Sequence, residues 1–472
     1  METGRIQRFG ATARIQSDYS AKYKGVMMRL FPVLALLLIL IPEMPGHAWA
    51  QAATESGNSG PLRMTINGPG STQVPIAIPE LKNLNGGDDH RLSSIFVGIL
   101  RRDLKLSGYF TTIDPHAYIE NSQTSGYDLG KFNFNDWSSI NAEFLVKGAA
   151  AQNGNSVSLD AMLFDVPNQR RMMGKKFTGD RHDVGEMARR FADAVMLAVT
   201  GVRGPFDTKL AFVSTRGGRF KEVYTQWLDG GALFRVTDNP TINLFPSFDH
   251  GVNHLLYLSY KTMSPELYLA DLNRKVETRI ATGLGMPLGG ALTPDGRIIA
   301  AISRDGHTNL YLLDQRGNEI RALTDGHSIN VSPSVCAQGG QMTFTSDRSG
   351  APQIYVMNLN GGTATRVTYQ GTYNTTPSFS PDCGKIAYQG RIGGAFQLFV
   401  IDASGGQPRQ LTNGGNNQSV SWSPDGHYLA FSSNRAGRWR IYMMQLDNGN
   451  ISALTEGEGN DSSPSWSWWL GQ

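Results

Sequence analysis

The stretch PSFSPDCGKIAYQGRIGGAFQLFVIDASGGQPRQLT, residues 377 to 412, decides the fold, because variants of it recur from about residue 209 to the C-terminus. Two markers recur at intervals of 42 to 45 residues and define six copies. The first marker, a glycine that ends a turn, is found at Gly251, Gly296, Gly339, Gly384, Gly426 and Gly471. The second marker, a threonine that closes each copy, is found at Thr237, Thr282, Thr324, Thr368, Thr412 and Thr455.

Each copy contains four short strand-like runs. In the quoted copy they are PSFS from Pro377, IAYQG from Ile386, QLFVID from Gln397 and PRQLT from Pro408. Turn residues separate them, as expected for antiparallel strands. Four strands in 40 to 45 residues match one propeller blade, whereas helical repeats need long segments of 3.6-residue period. The predicted fold is therefore mainly β: a six-bladed propeller over residues 209–472, preceded by a smaller α/β domain.

The ends of the array predict how the ring closes. The first copy begins at KLAFVST (209–215), which matches the second strand of later copies, and the chain finishes on SPSWSWW (463–469), which matches their first strand. We expect the C-terminal strand to complete the first blade, since closure pairs the sheet edges that a linear array exposes. The alternative is an open solenoid with one unpaired strand.

Residues 1–50 have the pattern of an export signal. Six basic residues precede an apolar run from Phe31 to Ile41, and Ala48-Trp49-Ala50 offers a small-x-small cleavage site. Cleavage after Ala50 would make Gln51 the first mature residue. The alternative is a membrane anchor, but these 11 apolar residues fall short of the roughly 20 that span a bilayer.

The charge balance points to neither a nucleic-acid nor an anionic-membrane partner, and we expect no direct insertion into a membrane. The signal carries six basic and three acidic residues, and removing this +3 from the whole-chain +3 leaves a mature protein near neutrality. Both cysteines, Cys336 and Cys383, lie in first strands of consecutive copies. Cys336 aligns with Ser380 rather than with Cys383, and neighbouring blades diverge. We therefore predict two buried thiols, with a disulfide as the alternative.

The region before the propeller divides into three parts. Residues 51–61 (QAATESGNSGP) are polar and predict a flexible tail, and residues 201–208 (GVRGPFDT) form the linker. Between them, residues 62–200 show two amphipathic helices, one after Asp88-Asp89 and one after Asp183. We expect both helices to pack their apolar stripes on one sheet. The strand-like runs of that sheet are Arg63–Ile66, Val74–Ile78, Tyr109–Ile113, Phe144–Val146, Val157–Asp165 and Lys175–Thr178.

Three segments resemble the TolB family, the periplasmic propeller proteins of the Tol-Pal envelope system. They are LRRDLKLSGYFTTIDP (100–115), EFLVKG (143–148) and ADAVMLAVTGVRGPFDTKLAFVSTR (192–216), and the SPDG-type repeats resemble the family's blades. The resemblance implies a monomeric, non-enzymatic periplasmic scaffold for envelope integrity and cell division. It implies binding of the lipoprotein Pal by the propeller and of TolA by the N-terminal region, including tail residues Gln51, Thr54 and Glu55. An unrelated peptide-binding propeller is an alternative.

A propeller hydrolase or lactonase is the enzymatic alternative. The chain has no G-x-S-x-G elbow and no H-E-x-x-H motif. His250 and His254 flank a turn, which disfavours a shared metal, and the repeated Ser-Pro-Asp-Gly is typical of tight turns. We therefore predict no catalytic residue, metal or cofactor. The alternative stays open because propeller sites draw single residues from different blades.

In five of the six copies a polar residue stands three positions before the proline, or its equivalent, that opens the first strand, and Pro287 is the exception. Such loops should ring one end of the central channel and, by the resemblance, receive Pal. Tyr373 adds an aromatic group of the kind enriched at binding hot spots. The structural alternative is that these side chains bond to nearby backbone in every blade. The predicted polar positions are Asn243, Asn330, Asn374, Asn417 and Asp461.

Overall fold

The computed structural model describes residues 73–85 and 90–470. The predicted signal, its cleavage site at Ala50 and Gln51, the tail residues Thr54 and Glu55, and the predicted strand Arg63–Ile66 therefore lie outside the described residues. All described residues belong to one unit, Met64–Gln472.

The N-terminal part forms one mixed sheet in the order β3-β1-β4-β5-β6, with the short β2 beside β4. β1 runs parallel to both β3 and β4, whereas β4, β5 and β6 are antiparallel. The strands are β1 Val74–Ala77, β2 Lys82–Asn83, β3 Phe110–Thr112, β4 Phe144–Asn153, β5 Ser156–Asp165 and β6 Arg170–Asp180.

Two long helices, α1 His90–Leu106 and α3 Val184–Thr200, bury their apolar stripes in one cluster with this sheet, as the sequence predicts. The rings of Phe96 and Phe191 lie 5.8 Å apart between them. α3 ends where Gly201 adopts a left-handed φ of 80°. A short helix, α2 Phe134–Ser138, and two 3₁₀ turns, Pro115–Ala117 and Arg181–Asp183, were not predicted.

None of the helices within residues 73–85 and 90–470 is long and apolar enough to cross a membrane.

The propeller consists of six four-stranded antiparallel sheets. In each blade the inner strand lines the central channel and the fourth strand lies outermost. Blades 2 to 6 take four consecutive strands each, and blade 1 has the order β30-β7-β8-β9.

The strands of the first three blades, apart from β30, are β7 Lys209–Ser214, β8 Glu222–Trp227, β9 Phe234–Arg235, β10 Asn243–Phe248, β11 His254–Ser259, β12 Glu266–Asp271, β13 Val276–Ile280, β14 Met286–Leu292, β15 Ile298–Arg304, β16 His307–Leu313 and β17 Glu319–Ala322. The remaining strands are β18 Asn330–Val335, β19 Gln341–Ser346, β20 Gln353–Asn358, β21 Thr365–Arg366, β22 Asn374–Phe379, β23 Lys385–Ile392, β24 Ala395–Asp402, β25 Arg409–Gln410, β26 Asn417–Trp422, β27 Tyr428–Ala436, β28 Arg438–Gln445, β29 Ile451–Ala453 and β30 Asp461–Trp466.

The ring closes as predicted. β30 pairs antiparallel with β7, with Asp461 opposite Ser214 and Trp466 opposite Leu210. The indole N–H of Trp466 donates to the Thr208 hydroxyl at 2.9 Å, which ties the last strand to the segment before β7. The open solenoid is thereby excluded.

Every inner strand contains a β-bulge. In five of the six, a non-glycine residue of the bulge has a left-handed φ between 48° and 54°, a conformation that costs about 1 kcal/mol for an L-residue. Backbone N–H groups in the bulges donate to side chains of the preceding blade, as Ser419 does to the Gln389 amide oxygen at 2.9 Å. The bulges therefore link neighbouring blades. The five residues are Phe245, Ser332, Thr376, Ser419 and Ser463.

The prediction of two separate thiols is wrong. Cys336 and Cys383 form a disulfide, with Cα atoms 5.4 Å apart. Both residues lie in the turns that join inner to second strands, where blades 4 and 5 converge around the channel, and the expected divergence applies only farther out. Cys383 lies in the turn that begins at Ser380 and has a left-handed φ of 61°, a local conformation that the alignment of copies does not reveal.

Removing the disulfide should lower stability. The bond joins residues 47 apart, for which the chain-entropy model gives about 4 kcal/mol. We expect the double variant Cys336→Ser/Cys383→Ser to unfold at a lower guanidinium concentration than the oxidised protein. Reductant should shift the parent midpoint and leave the variant's midpoint unchanged. Equal midpoints for oxidised parent and variant would contradict this expectation.

Candidate partner-binding end of the propeller

The five predicted polar residues all begin inner strands, at what we call the mouth end of the channel. The structure corrects their expected exposure, because each of these side chains is at most 3% exposed. They cannot form a ring of groups open to a partner. The residues and their strands are Asn243 in β10, Asn330 in β18, Asn374 in β22, Asn417 in β26 and Asp461 in β30.

Hydrogen bonds show what these side chains do instead. In blade 4 the Gln353 amide oxygen accepts from the Thr368 hydroxyl at 2.7 Å and from the Asn374 amide, in blade 5, at 2.8 Å. The Thr368 oxygen also accepts the backbone N–H of Ile354. A third-strand side chain therefore joins the closing threonine of its own blade to the first residue of the next blade. The same arrangement holds for Glu222–Thr237–Asn243, Asn309–Thr324–Asn330 and Gln397–Thr412–Asn417.

In three blades an arginine side chain also donates to the side chain that begins an inner strand. The Arg348 guanidinium donates to the Asn330 carbonyl oxygen at 2.8 Å and to the Ser346 hydroxyl at 3.0 Å, and it stacks on Phe344 and Tyr355. Arg216 bonds to Asp461, and Arg435 to Asn417, in the same way. These arginines were not predicted, although they share a signal in the sequence, the tripeptide Ser-x-Arg near the end of a second strand: Ser214–Arg216, Ser346–Arg348 and Ser433–Arg435.

Among the predicted site residues that the structure describes, only Tyr373 is half-exposed. Its ring packs 5.9 Å from that of Phe396, and its carbonyl accepts the N–H of Arg391. Burial raises the pKa of the Tyr373 phenol to about 12, so it is neutral at physiological pH.

The channel itself has a volume of about 330 Å³ and is lined by the inner strands of all six blades. Phe245, in a bulge near the mouth end, is 40% exposed and lines it. His250 and His254 do not converge, since His250 stacks on Trp468 and His254 bonds to the Asp249 carboxylate at 3.0 Å. Across the described residues no cluster of three His, Cys, Asp or Glu side chains could hold a metal ion.

The N-terminal domain contacts the opposite end, which we call the turn end. There the Arg189 guanidinium of α3 bonds to the Asp229 carboxylate at 2.9 Å, with both side chains buried. The Tyr428 hydroxyl of blade 6 donates to the Ser107 carbonyl after α1. The contacts fall on turns of blades 1 and 6. The loops at the mouth end lie on the other side of the blades.

Comparison with known proteins assigns the chain to a family. Residues 197–469 match the model of the TolB beta propeller domain, and residues 62–172 match that of the TolB amino-terminal domain. The chain belongs to the TolB family. The Tol-Pal system protein TolB of Desulfosudis oleivorans is 36% identical to it over 261 residues, 55% of this chain and 59% of that protein.

A second TolB relative, the Tol-Pal system protein TolB of Syntrophotalea carbinolica, is 36% identical over 186 residues, 39% of this chain and 43% of its own length. The chain thus spans about half the length of these curated relatives. The crystal structure of TolB from Acinetobacter baumannii has the same fold, with a TM-score of 0.72 and 24% identity. That match covers 84% of this chain and 97% of the A. baumannii chain.

Proposed function

We propose that this TolB-family chain is a non-enzymatic scaffold of the Tol-Pal system in the periplasm. In this role it binds Pal through the mouth end of the propeller and TolA through its N-terminal region, and so contributes to envelope integrity during division. The family match carries the proposal, because its curated relatives are named as Tol-Pal system proteins. No nucleic acid and no direct membrane insertion is involved, and the scaffold acts as a monomer.

Exposed aromatic side chains support the mouth end as the Pal site. Tyr369, in the loop between β21 and β22, is 71% exposed, and Phe245 lines the channel. Aromatic residues dominate binding hot spots because they bury a large area at a small cost in side-chain entropy. The N-terminal domain contacts the turn end, which leaves the mouth-end loops accessible to a second protein. The buried Asn and Asp side chains serve here as the frame that positions those loops.

The TolA site is proposed in the tail, residues 51–61, with Gln51, Thr54 and Glu55 among its contacts. A polar segment with few apolar residues can bind by adding a strand to the edge of a partner's sheet. The proposed signal cleavage between Ala50 and Gln51 would place this tail at the mature N-terminus.

Binding measurements with purified partners test both parts. The variant Phe245→Ala/Tyr369→Ala should weaken Pal binding by more than about 2 kcal/mol while TolA binding is retained. Deleting residues 51–61 should weaken TolA binding while Pal binding is retained. The matched control, Val276→Ala/Ile320→Ala, removes two similarly exposed apolar side chains from the fourth strands β13 and β17 and should bind both partners normally. Pal binding that survives the mouth-end variant would place its site elsewhere.

A further inference from the structure

Two histidines at the mouth end are in direct contact. The His327 Nδ1 and His307 Nε2 atoms lie 2.8 Å apart, and the two rings are nearly perpendicular, with an interplanar angle of 75°. His307 begins β16, and His327 lies in the loop between β17 and β18. Both side chains reach solvent, His327 more than His307.

The backbone beneath the pair is tied together at several points. Thr308 and Ile329 form a parallel bridge, and the buried Asn330 amide donates to the Thr308 carbonyl at 3.1 Å. The Asn309 amide donates to the Gly326 carbonyl at 3.3 Å. The strand with His307 and the loop with His327 are therefore held in register by the same network that joins the blades.

The turn before His307 restricts it further. β15 and β16 are joined by Asp305 and Gly306, both with left-handed φ, 51° and 83°, which is the geometry of a tight two-residue hairpin. On the other side, the Ile329 N–H donates to the Asp347 carboxylate at 2.7 Å. The two imidazoles are thus presented by backbone segments that have little freedom to move apart.

The geometry points to a site for a divalent d-block cation, copper(II) in particular, held by His307 Nε2 and His327 Nδ1. Metal–imidazole bonds of about 2.0 Å place two cis nitrogen ligands about 2.8 to 2.9 Å apart at a square-planar centre, and about 3.3 Å apart at a tetrahedral one. The observed 2.8 Å fits the square-planar edge that Cu²⁺ prefers. For both facing nitrogens to offer a lone pair, the N–H between them moves to the other nitrogen of its own ring, and water fills the cation's other positions.

Copper titration of tag-free protein tests the site. At pH 7.5 we expect one Cu²⁺ per chain, with a pulsed electron paramagnetic resonance spectrum showing two imidazole nitrogens. His307→Ala and His327→Ala should each weaken binding at least tenfold and remove one nitrogen from the spectrum. Zn²⁺ should compete more weakly, as the Irving–Williams order requires.

Controls separate this site from other copper ligands. His182→Ala removes an exposed histidine of the N-terminal domain and should leave the titration unchanged. Deleting residues 51–61 changes the residue that carries the mature N-terminal amine, which could itself bind copper. This deletion should also leave the copper titration unchanged. The proposal is overturned if the double variant His307→Ala/His327→Ala still binds Cu²⁺ as the parent does, or if the parent binds none. Unchanged thermal unfolding of the variants without metal would show that they are folded.

Discussion

Deleting residues 463–472 should leave a protein that aggregates or melts far below the parent. The deletion removes most of β30 and hence the pairing partner of β7 in blade 1. It also removes three tryptophans, of which Trp466 is buried and Trp469 donates its indole N–H to the Gly204 carbonyl. Burying each large aromatic side chain contributes about 2 to 3 kcal/mol, so the loss is comparable with the whole stability of a domain, about 5 to 15 kcal/mol.

Two further variants serve as controls for this deletion. Removing only Gly471 and Gln472 keeps β30 and should leave the melting temperature unchanged. The variant Trp466→Ala keeps the strand's backbone pairing and should lie between the two. Differential scanning calorimetry provides the measurement. A truncation at residue 463 that melts within a few degrees of the parent would show that strand pairing in blade 1 contributes little to stability.

The second large effect is expected at the contact between α3 and blade 1. Asp229→Ala should lower the free energy of unfolding by at least about 3 kcal/mol, because it leaves the buried Arg189 guanidinium without its carboxylate. The side chains of Arg189 and Asp229 are only 6% and 1% exposed. Arg189 also lies over the Trp227 ring at 4.1 Å, so it cannot turn to solvent without losing that contact.

A nearby carboxyl offers a control for this prediction. Asp103 of α1 is fully buried, and both of its oxygens lack hydrogen-bond partners. Burial, and after it the charge of Asp229, raise the pKa of Asp103 well above its usual value, while Arg189 opposes this. A raised folded-state pKa means that its contribution to stability is lost as the pH rises through that pKa. Asp103→Asn alone should therefore cost little at neutral pH.

The double variant is the sharper measurement. When Asp229 is removed, the repulsion on Asp103 disappears, and its ionised carboxylate can pair with Arg189. In Asp103→Asn/Asp229→Ala, residue 103 has no carboxylate to pair with Arg189. The loss of stability from Asp229→Ala to this double variant should therefore exceed the loss caused by Asp103→Asn in the parent. Urea denaturation at pH 7.5 gives the three differences. Strict additivity would mean that Asp103 does not respond to the loss of Asp229.

The fold was predictable because its repeats impose the same requirements on every blade. The threonine marker identified the copies, and in four blades the structure gives its physical reason. Thr368 and its equivalents in blades 1, 3 and 5 accept a backbone N–H and donate to a third-strand side chain. Ring closure followed from matching SPSWSWW with the first strands. The two long helices were predicted from their period, whereas α2 has five residues and is too short for a periodic pattern to identify it.

The candidate site was less predictable. A recurring Asn or Asp is compatible both with an exposed ring and with a buried network, and the alignment of copies does not distinguish them. Whether such a side chain is exposed or buried depends on its hydrogen-bond partners. Gln353 for Asn374 and Arg348 for Asn330 lie 21 and 18 residues away in the sequence. The disulfide between Cys336 and Cys383 depends in the same way on local turn geometry, such as the left-handed φ of Cys383, which an alignment of copies does not show.

The closure of blade 1 has a consequence for how the protein is made. Arg216 and Asp461, which bond across that blade, are 245 residues apart in the sequence. Because the chain is made from its N-terminal end, Arg216 exists long before Asp461, and until β30 is added β7 lacks the partner of its inner edge. The cost of closing so long a loop grows only slowly with its length, but the edge is exposed for the whole interval. Until β30 is present, this edge is open to pairing with another chain and the ring cannot close.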